Sequence, residues 1–268
     1  MSEPITAGSL RPTRTGAATV HVDSIGPVEV TVQDRDRTRP FLLLHGGGGA
    51  ATMAGFADLL AERTHARVLM PTHPGFGGTP KNAGLTGVSD LARTYVALLE
   101  ALDLSDVTLI GNSFGGWLAA EIALLGSPRV SGAVIVNGIG IEVDGSPMTD
   151  VSGLTPAELQ AHSFHDPRRA PSPPLGGGKG PSPDIPALIG YTGPTMSDPT
   201  LAERLGDVRL PFHVLWGESD RIVTPEYGKA YAAAIPMATF TPLPRTGHMP
   251  QVETPEELLG ALLDLACR

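Results

Sequence analysis

A chain of 268 residues is long enough to bury a substantial core, as one large domain or two small ones. Hydrophobic residues make up 41% and charged residues 18%, with no long low-complexity tract, so the composition is that of a globular chain. Nineteen Lys and Arg against 28 Asp and Glu give a net charge of −9 and no clustered basic stripe. A nucleic-acid partner is therefore not expected, because that binding starts from phosphate neutralisation.

The single cysteine, Cys267, excludes an intrachain disulfide, which fits a reducing cytosol, and its penultimate position argues against a catalytic thiol. The leader Met1–Gly16 holds Glu3, two prolines and two arginines but no apolar h-region, so it does not read as a signal peptide. No run approaches the roughly 18 apolar residues that a membrane helix needs. The expectation is a soluble, cytoplasmic protein with no membrane partner.

Along the chain, Thr19–Asp23 and Val28–Val32 alternate apolar and polar residues around Ile25-Gly26-Pro27, the pattern of an antiparallel hairpin. From Pro40 the pattern changes. Phe41–Leu44, Val68–Met70, Val107–Ile110 and Ala133–Val136 are continuous apolar runs, which suit strands buried on both faces of a mostly parallel sheet. Helical spacing lies between them: Phe56, Leu59 and Leu60; then Leu91, Tyr95, Leu98, Leu99 and Leu102; then Leu118, Ile122 and Leu125. The C-terminal part repeats the alternation with strand Phe212–Trp216, a helix from Thr224, a strand near Ala238–Thr241 and a last helix from Thr254. Thr224-Pro225 and Thr254-Pro255 place a capping hydroxyl before a first-turn proline, and Glu257 completes a capping box with Thr254. Strand–helix alternation of this kind predicts an α/β fold with right-handed crossovers.

Residues 139–206 break that rhythm. They hold 11 of the 26 prolines and a Gly176-Gly177-Gly178 run, with one clear helix begun by Thr155-Pro156-Ala157-Glu158. Because regular α/β elements resume afterwards, the segment reads as an insertion.

Gly111-Asn112-Ser113-Phe114-Gly115 fits G-x-S-x-G, directly after a buried strand and before a helix. The tight turn exposes a serine hydroxyl at the C-terminal edge of the sheet, and the helix start adds partial positive charge where an oxyanion would form. An ordinary glycine-rich turn with a capping serine is the bland alternative, and the strand–turn–helix context argues against it.

Serine needs a base, and the chain offers eight histidines. His21 and His213 fall in strand-like segments, and His65, His162 and His165 in helix ends or the insertion. His248 follows a strand in Pro244-Arg245-Thr246-Gly247-His248 and precedes the last helix, so a loop presents it at the same edge. Asp220, just beyond strand Phe212–Trp216, is the candidate acid that would set the tautomer of His248. Glu218 is its nearest rival and Asp144 a more distant one.

His45-Gly46-Gly47-Gly48-Gly49 ends another strand. Backbone free of side chains can aim N–H groups at a developing oxyanion, with Gly47 and Phe114 as the expected donor pair and Gly46 beside them. Such a loop could instead cradle phosphate, but neither a G-K-[ST] ending nor a G-x-G-x-x-G pattern with a downstream acid accompanies it. His45 is expected to brace the loop. Asn112, Trp117 and Met249, neighbours of the nucleophile and the base, are candidate substrate contacts, with a buried core role equally open for Trp117. No cofactor or metal is implied.

Together these features resemble the α/β-hydrolase superfamily over nearly the whole chain, and Pro74-Gly75-Phe76-Gly77-Gly78-Thr79 is similar to that family's P-G-x-G-x-S/T loop. The resemblance implies a mostly parallel eight-stranded sheet whose first two strands are the hairpin, with helices on both faces. It also implies a core of residues 17–138 and 207–268 and a lid at 139–206, inserted after the sixth strand. The order Ser113, Asp220, His248 is that family's triad order. The reaction implied is acyl transfer on a small-molecule carboxylic ester or lactone. Gly111–Gly116 with the glycine loop is also similar to the meta-cleavage-product hydrolases, which cut C–C bonds. Two departures separate them: the loop lacks that group's usual proline, and Met249 stands where those enzymes usually carry tryptophan. Dehalogenases and many epoxide hydrolases carry aspartate at the position of Ser113. A non-catalytic binding protein on the same scaffold is the alternative from a different class.

Overall fold

A computed structural model describes residues 14–23, 25–35, 40–151, 153–171 and 184–266. Cys267, the Gly176–Gly178 run and all but the last residues of the leader lie outside them. β1 (Arg14–Val22) and β2 (Gly26–Arg35) form the hairpin, in register from Arg14↔Asp34 to Val22↔Gly26. It begins earlier than the alternation suggests. Gly16, Ala17 and Ala18 have side chains too small to show a hydropathy pattern, yet they pair with Val32, Thr31 and Val30.

The rest is an alternation of β3 (Pro40–Leu44), α1 (Ala51–Thr64), β4 (Arg67–Thr72), α2 (Val88–Ala101), β5 (Val107–Asn112), α3 (Phe114–Leu124) and β6 (Val130–Val136). Between β6 and the next strand lie α4 (Pro156–Ser163), a single 3₁₀ turn at Pro167–Arg169, α5 (Ile185–Thr192) and α6 (Leu201–Arg204). The chain closes with β7 (Phe212–Gly217), α7 (Pro225–Ala233), β8 (Ala238–Leu243), α8 (Pro250–Glu253) and α9 (Pro255–Ala266). No helix among the described residues is long and apolar enough to cross a membrane.

Residues 139–206 hold more helix than the sequence suggests, because their prolines fall where helices tolerate them. Pro156 and Pro186 sit in the first turns of α4 and α5, where a missing N–H costs nothing. A capping box forms at Thr155, with Thr155 Oγ1 accepting from Glu158 N and the Glu158 carboxylate accepting from Thr155 N, whereas the hydroxyl of Thr254, where the sequence pattern places one, lies 2.9 Å from Thr246 Oγ1. Thr224 also stands at a helix start, but its side chain makes no capping bond. The short α8, opened by Pro250, precedes the last helix and had no counterpart in the sequence pattern.

All eight strands form one sheet in the order β1-β2-β4-β3-β5-β6-β7-β8. The β1/β2 and β2/β4 pairs are antiparallel and every other pair is parallel. The continuous apolar runs now have a reason, since successive residues serve two different cores. Leu42, Leu44, Leu109, Ala133, Ile135, Val214 and Trp216 join the helices α2, α3 and α7 on one face. Leu43, Ile110, Val134, Val136 and Leu215 join α1 and α9 on the other. From β3 the chain runs outward to β4, then returns to place β5 on the opposite flank of β3. That reversal falls at the C-terminal ends of β3 and β5, the usual ligand position of an open α/β sheet.

Candidate active site

Ser113 sits at that edge between β5 and α3, with φ 56° and ψ −117°. The elbow's two glycines answer to sterics. A Cβ on Gly111 would overlap the backbone of Gly115, and one on Gly115 would overlap the carbonyl of Leu44. Ser113 is thereby held against β3 and β6: its N–H donates to Val136 O at 3.0 Å, and its carbonyl accepts from Gly116 N at 2.9 Å and Ile139 N at 3.2 Å. Phe114 is the first residue of α3, so its N–H belongs to the set that has no partner within the helix.

The glycine loop after β3 lies directly beside the elbow, where a Cβ built on Gly46 would stand 2.9 Å from Ser113 Cβ. The same construction on Gly47 meets Leu188 Cδ2 of α5 at 2.9 Å, and on Gly48 it meets Met249 Cε at 3.8 Å. Leu188 and Met249 therefore lie beside this loop, with the methyl group of Thr52 of α1 also against Gly48. Tyr191, one turn beyond Leu188, stacks on Phe114 with ring centroids 6.0 Å apart.

Asp220 and His248 meet beyond the ends of β7 and β8. His248 Nδ1 is 2.8 Å from Asp220 Oδ2, both residues are buried, and Glu218 points outward to solvent with Asp144 likewise exposed. Asp220 takes three further bonds. Its Oδ1 accepts from Ile222 N at 2.8 Å and Val223 N at 3.1 Å, and its Oδ2 from Asn137 Nδ2 at 2.6 Å. With Nδ1–H committed to the carboxylate, the His248 tautomer leaves Nε2 as an acceptor.

Asn112 is used inside the protein. Its amide nitrogen donates to Val136 O at 3.1 Å and His248 O at 3.0 Å, and its oxygen accepts from Gln251 Nε2 at 2.9 Å. The side chain offered as a substrate contact thus ties the end of β5 to the loop that carries His248. Trp117 is 4% exposed in the core, donates Nε1 to Glu121 Oε1 at 3.3 Å, and shows one edge to a surface cavity of about 430 Å³ shared with Val88, Tyr191 and Arg204.

His45 braces the loop through a partner that the sequence reading passed over, His73 at the end of β4. The two rings stack with centroids 3.7 Å apart. His73 N–H donates to His45 Nε2 at 3.1 Å, which fixes the His45 proton on Nδ1, where it reaches Gly46 O at 2.8 Å. His73 Nε2–H donates to His45 O at 3.0 Å, and its Nδ1 accepts from Tyr95 O–H at 2.6 Å. Both rings are fully buried. Burial holds the His45 imidazole down to about 4, and burial together with the neighbouring His45 holds His73 well below the ordinary histidine range. Two neutral rings therefore support the backbone of the glycine loop.

Asn137, His73 and Gln251 are among the residues missed from sequence. Each is polar and follows a strand or adjoins the His248 loop, so polarity immediately after a buried strand was the available signal. Among the described residues no group of three or more His, Cys, Asp or Glu side chains could hold a metal ion.

A sheet of this order, with a serine elbow after β5 and a buried Asp–His pair after β7 and β8, defines an α/β-hydrolase, and the chain belongs to the alpha/beta hydrolase family, which matches residues 41–261. A 2-hydroxy-6-oxononadienedioate/2-hydroxy-6-oxononatrienedioate hydrolase of Paraburkholderia phymatum is 27% identical over 94% of this chain and 97% of its own length. A 2-hydroxy-6-oxo-2,4-heptadienoate hydrolase of Pseudomonas putida is 33% identical over 122 residues, and the match spans only 44% of that relative's length. A bromoperoxidase from Bacillus anthracis shares the fold with a TM-score of 0.75 at 20% identity, over 94% of this chain and all of that one. The chain is thus a hydrolase of this family.

Proposed function

We propose that the protein is a serine hydrolase of a small, uncharged carboxylic ester or lactone, with Ser113 as nucleophile, His248 as base and Asp220 as the acid that orients it. The observation carrying this reading is the buried His248–Asp220 contact at 2.8 Å, on loops that converge beside the Ser113 elbow. His248 Nε2 takes the proton from Ser113 Oγ as the oxygen bonds to the substrate carbonyl carbon. The N–H groups of Gly47 and Phe114, next to Gly46, receive the oxyanion, each worth about 3–4 kcal/mol of transition-state stabilisation. The C–O bond to the leaving group breaks as His248 returns the proton to it. Water then attacks the acyl-enzyme, gives its proton to His248, and releases the carboxylic acid with Ser113 restored.

Leu188 and Met249 beside the glycine loop favour an apolar acyl group, and the Asp184 carboxylate, whose Oδ2 would lie 3.1 Å from a Cβ on Gly49, disfavours an anionic one. Residues 139–206 serve in this reading as the lid, with α5 resting on Gly47 and Phe114. The names of the two curated relatives favour a second reading, C–C cleavage of a dienoate by the same triad.

The test has two parts. A fluorophosphonate probe is expected to label Ser113; an unlabelled, folded protein would return the reading to a binding protein. Turnover measured side by side on p-nitrophenyl acyl esters, lactones and a 2-hydroxy-6-oxo-dienoate separates the two chemistries. Higher kcat/KM on the dienoate overturns the ester reading.

A further inference from the structure

The stretch after β6 does more than lie over the glycine loop; it also grips the base and the acid from behind. The backbone N–H of His248 donates to Ser163 O at 2.7 Å, at the end of α4. Two residues on, His165 Nδ1 is 2.8 Å from Ser219 Oγ, and Arg221 N donates to His162 O at 3.1 Å. Residues 162–165 therefore hold both neighbours of Asp220 and the backbone of His248 at once.

Glu253, in α8, fastens this segment to the His248 loop. It is 3% exposed, and its carboxylate accepts three backbone N–H groups. Oε2 takes Gly247 N at 2.7 Å and His165 N at 3.1 Å, and Oε1 takes Asp166 N at 2.7 Å. Arg169 Nη1 adds a bond to the Glu253 carbonyl at 2.8 Å. Only a side chain with two acceptor oxygens can serve three converging donors; an amide offers one oxygen and would turn its own N–H toward another N–H.

We infer that Glu253 is a positioning residue for His248: by locking His165 and Asp166 to Gly247 it sets the imidazole's aim between Asp220 and Ser113. The inference rests on the proposed triad. Because Glu253 holds backbone and touches no substrate, its loss should displace the base while leaving substrate binding intact.

Wild type and Glu253→Gln are compared in three measurements on the full chain: p-nitrophenyl ester kinetics, the second-order rate of fluorophosphonate labelling, and the low-field proton resonance of His248 Nδ1–H. In Glu253→Gln, kcat and the labelling rate are expected to fall together by about 10- to 100-fold with KM within about twofold, as for a small misplacement of a reacting group. The low-field resonance should shift or broaden while the melt stays cooperative. Wild-type labelling and kcat in the folded variant overturn the inference, whereas failure of wild type itself to label overturns the triad instead. If Glu253→Gln does not fold, Glu253→Asp carries the same readout: slower labelling at unchanged KM supports the inference, and a wild-type rate overturns it.

Discussion

Asn137 donates its side-chain amide, at 2.6 Å, to the same Asp220 oxygen that faces His248. The acid is therefore held from the end of the strand next to its own, at a residue whose backbone has a positive φ of 49°. Replacing Asn137 with Ala removes one of four bonds to a buried carboxylate and should cost about 1–3 kcal/mol of stability. Loss of orientation should lower kcat/KM by about tenfold, which corresponds to about 1.4 kcal/mol of transition-state stabilisation. Denaturant midpoints and ester kinetics on the one variant check both numbers.

Asp220→Asn should reduce kcat by about 10³- to 10⁴-fold, because the amide favours the wrong His248 tautomer. Glu218→Gln should leave turnover unchanged, since that side chain is exposed. A large loss in the Glu218 variant would move the acid to that position.

Ser113→Ala and Ser113→Gly should both abolish ester turnover, yet differ in stability. The φ of 56° and ψ of −117° at Ser113 tax any residue with a Cβ. The Gly variant should be the more stable by about 1 kcal/mol after allowing for its greater unfolded-state freedom. Equal melting temperatures for the two would remove strain from the account of the elbow.

The His45–His73 pair predicts a direction for acid stability. Folded, both imidazoles titrate below the ordinary value of 6.5; unfolded, both return to it. The unfolded chain thus binds more protons as pH drops below 6.5, so the stability these rings contribute is complete above 6.5 and lost on the way down to about 4. The His45 shift alone corresponds to roughly 3 kcal/mol. Denaturant titrations at pH 7.5, 6.5, 5.5 and 4.5 should give a flat upper limb and a falling lower one. A stability that holds level from 6.5 to 4.5 contradicts a neutral buried pair.

Local chemistry made part of this molecule readable in advance. The glycines around Ser113 are demanded by overlaps with Gly115 and Leu44, and such demands leave a mark in the residues themselves. The apolar runs announced β3, β5 and β6 because each run feeds two cores. Asp220 and Glu218 could not be separated, since two residues in one loop differ only in which way the backbone turns them. Asn137, His73 and Glu253 went unread because their partners lie across strands or α8, and nothing in a linear pattern says that β6 will stand beside β7. The helices α5 and α6 hid behind a proline count, which registers how many prolines occur and not where in a helix they fall.

The contact between Gly47 and Leu188 separates two kinds of change. On the proposed chemistry, the groups that move protons and hold charge stand on the loops that follow β3, β5, β7 and β8. The roof over them is a side chain of a short helix outside the sheet. Drift in α5 can therefore retune which acyl groups fit, leaving the reactive centre as it was. New specificities would arise along that helix first, and directed evolution for a bulkier or smaller ester should begin at Leu188.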